Sequence, residues 1–333
     1  MHAFGEIIVR LHLNAQHYVA KIAQRMKNRD FCFAQRFTNK AGKCILKMFH
    51  GAGAHAFERK LMRGEAEYLE FGGYPCDIPT FKVQPDLDFF LLEIPPRYFP
   101  MMPNGLAYVH NILMKCGINF QTIDMNIVTY HRFHERRLRE RLDPVLTGSG
   151  YAMKEDPWDN AKMSEWDKPE MISHFMGELE SLLTEIAMNK PKAVGISLSG
   201  NNRSLVKAFV KELRRRAPEI VIVVGGYDCV YYGLGQHLFR DFAYMVIGEA
   251  ELTLEPLVKA LARGERPKDL IGIVSRYDSS SRVWVKPPLL QDLDGIDFPR
   301  YQWADHVWYQ DCERKHFVPI TASRGCHWAR CRF

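Results

Sequence analysis

The sequence predicts an α/β protein whose centre is a Rossmann-like, doubly wound parallel sheet of five strands with flanking helices. Three observations predict it. Between residues 86 and 265, short apolar runs alternate with segments of helical spacing, the pattern of repeated right-handed crossovers. The runs are continuously apolar, most clearly at residues 220–224, as in strands covered by helices on both faces. Glycine or proline stands directly after three of the five strands, at Pro95, Gly225 and Gly248, where a chain must turn toward a helix.

The elements follow in order. The run at 88–94 is ended by Pro95-Pro96, and residues 105–116 have helical spacing with Gly117 just past the end. A second strand at 119–124, a helix around 169–189, a third strand at 193–197 and a helix at 202–217 come next. The fourth strand, 220–224, leads to a helix through 231–239, and the fifth, 244–247, to a helix at 249–262. The connection between the second and third strands is unusually long. Its basic run at 131–141 and polar stretch between Trp158 and Trp166 read as an insertion on the rim of the sheet. Residues 271–277 and 282–286 flank Asp278-Ser-Ser-Ser281 and read as a hairpin. A linker with Pro287, Pro288 and Pro299 follows, and a last strand at 317–323 runs into Arg324-Gly325-Cys326. The expected organisation is a basic N-terminal segment of unassigned fold and role (1–85), the sheet domain (86–265), a hairpin and linker (266–315), and the start of a further domain (316–333).

Composition bounds the function. The chain has 333 residues, 47% hydrophobic and 25% charged, which excludes a disordered or fibrous protein. No stretch approaches the roughly 18 consecutive apolar residues of a membrane span, and the N-terminus lacks the organisation of a secretory signal, so a cytoplasmic location is expected. Eight scattered cysteines do not form a secreted disulfide framework. The net charge is +6, yet residues 1–64 carry 12 Lys and Arg against 3 acids, or +9, leaving −3 for the rest. Such a segment could meet nucleic acid, but with no nucleic-acid motif beside it a solvated basic face is the better reading.

Three places could carry chemistry. Ligands of open α/β sheets bind at the carboxyl ends of the strands. Pro95-Pro96, Ser197-Leu198-Ser199, Gly225-Gly226-Tyr227 and Gly248-Glu249 all fall there. Glycine permits close approach of backbone to a ligand and hydroxyls bond its polar edges, although a glycine pair after a strand also serves as a plain turn. The second place holds Cys326 and Cys331, two thiols that suit zinc or an iron–sulfur cluster but cannot complete either site; two unrelated buried cysteines remain the other reading. Four intervening residues exclude a redox Cys-x-x-Cys pair. The third place is any of the 13 histidines; none stands in a catalytic motif, and His110 and His237 read as ordinary helix residues.

Taken in order, Phe89-Phe-Leu-Leu-Glu-Ile-Pro-Pro96 with Gly105-Leu-Ala-Tyr108, Gly195-Ile-Ser-Leu198, Val224-Gly-Gly226, Val246-Ile-Gly-Glu-Ala-Glu251 and Thr321-Ala-Ser-Arg-Gly-Cys326 resemble the cobalamin-dependent radical SAM proteins. The resemblance covers roughly residues 86–333. It implies a cobalamin-binding domain followed by the first strand of a radical SAM barrel, with a [4Fe-4S] cluster and S-adenosylmethionine (SAM) as further cofactors. Ser197 and Gly225-Gly226 would border the buried nucleotide tail of cobalamin, with Leu198, Ser199, Tyr227, Gly248, Glu249, Pro95 and Pro96 beside it. Ala250 departs from a Gly-Glu-Gly-Glu signature. Cys326 and Cys331 would be the first two cluster ligands, and the third would fall at residue 334, so the chain reads as the front part of a longer enzyme. The implied reaction is radical methylation, or a related modification, of an unactivated carbon in a small-molecule or peptide substrate. No Asp-x-His-x-x-Gly motif is present, so a histidine beneath the cobalt is not expected. The competing expectation is a non-catalytic, flavodoxin-like module that binds another nucleotide-bearing ligand.

Overall fold

A computed structural model describes residues 3–9, 32–38, 44–50, 78–97, 102–142, 156–229, 242–283, 285, 290 and 295–309. It divides into two compact units, one made of residues 1–77 with 137–143 and 312–314, the other of the remaining residues. In the first unit, β1 (Ala3–Val9), β2 (Cys32–Thr38) and β3 (Cys44–His50) form an antiparallel sheet with β3 central. Its register runs from Ala3 opposite His50 to Val9 opposite Cys44, and an irregularity lies between Phe33 and Gln35.

The second unit is built on a six-stranded sheet. Its strands are β4 (Phe89–Glu93), β5 (Phe120–Asp124), β6 (Ala193–Ser197), β7 (Val221–Gly225), β8 (Tyr244–Val246) and β9 (Ile273–Ser275), in the order β5-β4-β6-β7-β8-β9. The first five are parallel, and β9 joins β8 antiparallel at the edge. The expected five strands are therefore joined by a sixth. It comes from the segment expected to form a hairpin: instead of pairing with residues 282–286, Ile273 pairs with Val246. Arg282, Val283 and Val285 are not in a strand. The turn is held by Asp278, which accepts from Asp269 N and Ser275 N and pairs with Arg282.

Alternate residues of each strand divide between two cores. Phe90, Leu92, Val194, Ile196, Ile222 and Val224 enter the larger one. Helices α2 (Met125–Leu142), α3 (Pro169–Glu178), α4 (Glu180–Asn189) and α5 (Arg203–Arg216) belong to this face through Phe133, Phe175, Leu183 and Phe209 among others. Phe89, Leu91, Val221, Val223 and Val246 face α1 (Asn104–Cys116) and α6 (Leu254–Ala262). Gly117, at φ 66°, ends α1 as the glycine signal predicts.

The structure corrects three further expectations. The helix expected around 169–189 is two helices that meet at Leu179. The basic run at 131–141 lies within α2, a helix that the sequence pattern did not predict, and Asp124 starts it by accepting from Asn126 N at 2.9 Å and Ile127 N at 3.3 Å. The Trp158-to-Trp166 stretch is no rim insertion. Both indoles are buried in the larger core, where Trp166 stacks on Phe175 with ring centroids 4.1 Å apart. The helix expected at 231–239 and the strand at 317–323 lie outside the described residues.

Residues beyond β9 return over the sheet. Leu290 N donates to the Glu249 carboxylate at 2.9 Å, the Asn111 amide donates to Phe298 O at 2.7 Å, and the Tyr301 hydroxyl meets Asn104 at 3.2 Å. The segment ends in a turn of 3-10 helix, His306–Tyr309, whose Tyr309 hydroxyl bonds Asp124 at 3.0 Å on the opposite edge strand.

Candidate functional site

The order β5-β4-β6-β7-β8 reverses direction between β4 and β6, and a crevice is expected above such a switch point. A cleft of about 240 Å³ opens there, between β4, the carboxyl halves of β6, β7 and β8, and the two helices α1 and α6. Of the residues expected at a site, Ser197, Gly225, Gly226, Gly248 and Glu249 line this cleft together. Glu251 also lines it.

The others lie elsewhere. Leu198 is fully buried in the larger core and does not line the cleft. Ser199 is part of the turn after β6, with its N–H bonded to Asn202 at 2.8 Å. Tyr227 is 77% exposed at the rim, and Pro95 and Pro96 are buried beyond the end of β4, joined by a cis peptide. Cys326, Cys331 and His237 lie outside the described residues. Among the described residues no group of three or more His, Cys, Asp or Glu could hold a metal ion.

The two glycines of the pair serve different ends. Gly226 has φ +112°, and a Cβ there would stand 2.6 Å from Leu198 O and 3.0 Å from Leu198 N. Its hydrogen is what lets the turn after β7 touch the turn after β6, and the contact is sealed by Leu198 N to Gly225 O at 2.7 Å and Asp228 N to Leu198 O at 3.3 Å. A Cβ on Gly225 would meet only Val246 Cβ at an ordinary 3.6 Å. Gly225 therefore keeps the cleft open, whereas Gly226 keeps the backbone closed.

Two residues at the site were given no role there by the sequence reading. Gly195, inside β6, lines the cleft; a Cβ there would stand 2.5 Å from the Phe89 ring, so its absence lets that ring lie across the strand as the floor. Asn202, wholly buried, donates to Ile94 O and Ser197 O, both at 3.0 Å, and accepts from Ser199 N. One side chain thus fixes the ends of β4 and β6 against each other. The only sequence signal was an Asn before a helix, which reads as a cap.

Beside the cleft, in register with Ser197, Glu93 ends β4 and Asp124 ends β5. Arg97 reaches Asp124 at 2.8 Å and Glu93 at 3.9 Å. Burial pushes the Glu93 carboxyl up to about 7, against the pull of Arg97 and with the push of Asp124, and Ser197 is hydrogen-bonded to it. The Tyr309 hydroxyl on Asp124 is likewise raised by burial well above its ordinary value. His110 turns from the cleft to Thr122, 2.9 Å away, and burial holds it down to about 4.

The buried Glu93 has a measurable consequence. Its carboxyl is raised in the fold, so the stability it contributes in acid is lost as pH rises from about 4.5 through 7. A Glu93→Gln chain should gain on the native one over that interval by on the order of 3 kcal/mol, because each tenfold change in proton affinity is worth about 1.4 kcal/mol. Urea unfolding at pH 5 and pH 8, followed by tryptophan fluorescence, measures the gain. An equal difference at both pH values would mean that Glu93 does not titrate where its burial places it.

Comparison with protein-family models finds no match. The chain is 29% identical over 140 residues to the anaerobic magnesium-protoporphyrin IX monomethyl ester cyclase of Synechocystis, an alignment covering 40% of the chain and 27% of that protein. It is 33% identical over 82 residues to an uncharacterized methyltransferase of Pyrococcus horikoshii, covering 25% of the chain and 18% of the relative. Among solved structures it is similar to the radical SAM methyltransferase TsrM of Kitasatospora setae, at 17% identity and a TM-score of 0.37, over 60% of the chain and 30% of TsrM. It is also similar to the cobalamin-dependent SAM radical enzyme OxsB, at 12% identity and a TM-score of 0.45, over 96% of the chain and 40% of OxsB. The chain spans about a quarter of the length of the first of these relatives and less of the second.

Proposed function

We propose that the second unit is the corrinoid-binding part of a cobalamin-dependent radical SAM enzyme that methylates, or otherwise modifies, an unactivated carbon. The observation that supports it is the cleft itself: a deep slot at the switch point, bordered by Ser197 and Gly225, with glycine at 195 and 226 where a side chain would close it or force its walls apart. The curated relatives, a cyclase and a methyltransferase, agree with this reading.

The residues present fit the nucleotide tail of cobalamin. Gly225 leaves its part of the slot free of a side chain, Gly195 makes room for the Phe89 ring that floors it, Gly248 turns the chain at φ 76° beside it, and the Ser197–Glu93 pair stands at its mouth. When bound, cobalamin supplies a cobalt centre able to carry a methyl group, and the protein's part is to hold it, orient it and exclude water. The Asn202 tie between β4 and β6 keeps the slot at a fixed width. Cys326 and Cys331 remain the proposed cluster ligands on the resemblance alone. A cytoplasmic enzyme acting on a small molecule or peptide completes the proposal; no helix among the described residues is long and apolar enough to cross a membrane.

The test is a titration of the chain with hydroxocobalamin, followed by its visible spectrum, with flavin mononucleotide in parallel. Cobalamin should bind. In a Gly225→Leu chain, whose Cβ makes only an ordinary contact and whose fold circular dichroism checks, binding should weaken roughly 100-fold as the isobutyl group fills the slot. Binding of the flavin alone would replace this reading with that of a flavodoxin-like module.

A further inference from the structure

The cleft has two storeys of different chemistry. Its polar side chains, Ser197, Tyr108, Glu249 and Glu251, belong to the end of β6, the first turns of α1 and the connection after β8, all at the mouth. About 6.6 Å deeper, twice the rise per residue of a strand, the walls are Leu91, Gly195 and Val223 from the sheet, with the ring of Phe89 rising beside Gly195 from two residues further down β4, and Val109 and Ile112 from α1. None of these has a hydrogen-bonding side chain. Their strands are paired on both sides in continuous parallel ladders, β4 between β5 and β6, β6 between β4 and β7, and β7 between β6 and β8. The backbone N–H and C=O groups of the floor are thus already engaged, and the ring of Phe89 lies over the place of the missing Gly195 side chain.

From this we infer that the cleft selects corrinoids by the base at the end of their nucleotide tail, taking a benzimidazole or a phenol and discriminating against a purine. The inference rests on the proposed corrinoid-binding reading and specifies the occupant of its inner storey. Dimethylbenzimidazole joined to its ribose has one free ring nitrogen, and a cresol base has none. Adenine carries three ring nitrogens and an amino group. On the apolar floor those groups would lose their water and find no partner, and each buried group left unpaired weakens binding. The Ser197 hydroxyl at the mouth is engaged with Glu93, so the contrast lies in number: dimethylbenzimidazole would bury one such atom and adenine four.

The experiment titrates the full chain with four corrinoids in the cyano or aquo form, read by visible spectroscopy and competition: cobalamin, the cresolyl form, the adeninyl form and cobinamide, which has no base. Cobalamin and the cresolyl form should bind within a few-fold of each other, and the adeninyl form roughly 100-fold more weakly, as three further unpaired polar groups would require at the low end of their cost. A Val109→Asn chain, altered at a half-buried wall position, places an amide beside the base and should narrow the gap between adeninyl and benzimidazolyl forms. Equal affinity for the two forms in the native chain would overturn the selectivity and leave corrinoid binding standing. So would cobinamide binding as tightly as cobalamin, since the tail would then not enter the cleft. Failure of all four to bind would remove the corrinoid reading and this inference together.

Discussion

A Gly226→Val chain is expected to lose about 4 kcal/mol or more of stability, and a Gly226→Ala chain nearly as much. The cause lies in the backbone. At φ +112° an L-residue is strained wherever it is placed, and the first side-chain atom already stands 2.6 Å from a backbone oxygen that hydrogen bonds hold in position. A clash with a ligand in the cleft would grow from Ala to Val, whereas a clash of the Cβ with Leu198 is complete in Ala. Equal losses therefore identify the backbone contact. Chemical denaturation of the three chains without any corrinoid decides it, and a native-like Gly226→Ala chain would refute the close approach. Gly225→Ala should by contrast unfold within about 0.5 kcal/mol of the native chain, as an ordinary contact predicts.

Trp166→Ala should cost roughly 3–5 kcal/mol, the usual penalty for emptying a core of an aromatic side chain. The indole is 1% exposed, stacks on Phe175, meets Trp158 edge-on at 5.2 Å, and donates from Nε1 to Pro157 O at 2.7 Å. Removing it leaves both a cavity and an unpaired carbonyl. Thermal unfolding should move down by roughly 10 °C, at about 2–4 °C per kcal/mol for a unit of this size. Trp166→Phe should recover part of the loss, because one ring remains to stack on Phe175 while the donor and the second ring are gone. A Trp166→Ala chain that melts with the native one would place this stretch outside the core.

Much of the sheet was legible in the sequence because its strands are buried on both faces. Four of the five parallel strands are nearly continuous apolar runs, β5 at the edge (Phe-Gln-Thr-Ile-Asp) being the exception, and the structure moves their bounds by a residue or two only. The elements that were missed bury unusual residues. Helix α2 turns Tyr130, His131, Phe133 and His134 inward, so that its buried face looked like part of a basic run. The histidines are tolerated because Trp308 O bonds His131 and Asp156 lies 3.2 Å from His134. Strand β9 is three residues long, and its partner was decided by the exposed edge of β8 rather than by its own pattern.

At the site, glycines after strands were readable because turn chemistry is local. Gly195 was not singled out, since a small residue inside an apolar run carries no mark until Phe89 from another strand lies over it. Asn202 was hidden for the same reason: the carbonyl of Ile94 that it holds is 108 residues away.

The segment after β9 gives the unit a particular order of coming apart. Edge strands are ordinarily the first to fray, having partners on one side only. Here one stretch of chain begins at one edge, in β9, holds Glu249 and α1 on its way, and ends on Asp124 at the other edge, in β5. Neither border of the sheet can peel without disturbing this stretch, and the strands between the borders, which wall the cleft, are enclosed by it. The two borders of the sheet are thereby tied into one set of contacts, and loosening either is expected to be felt at the other.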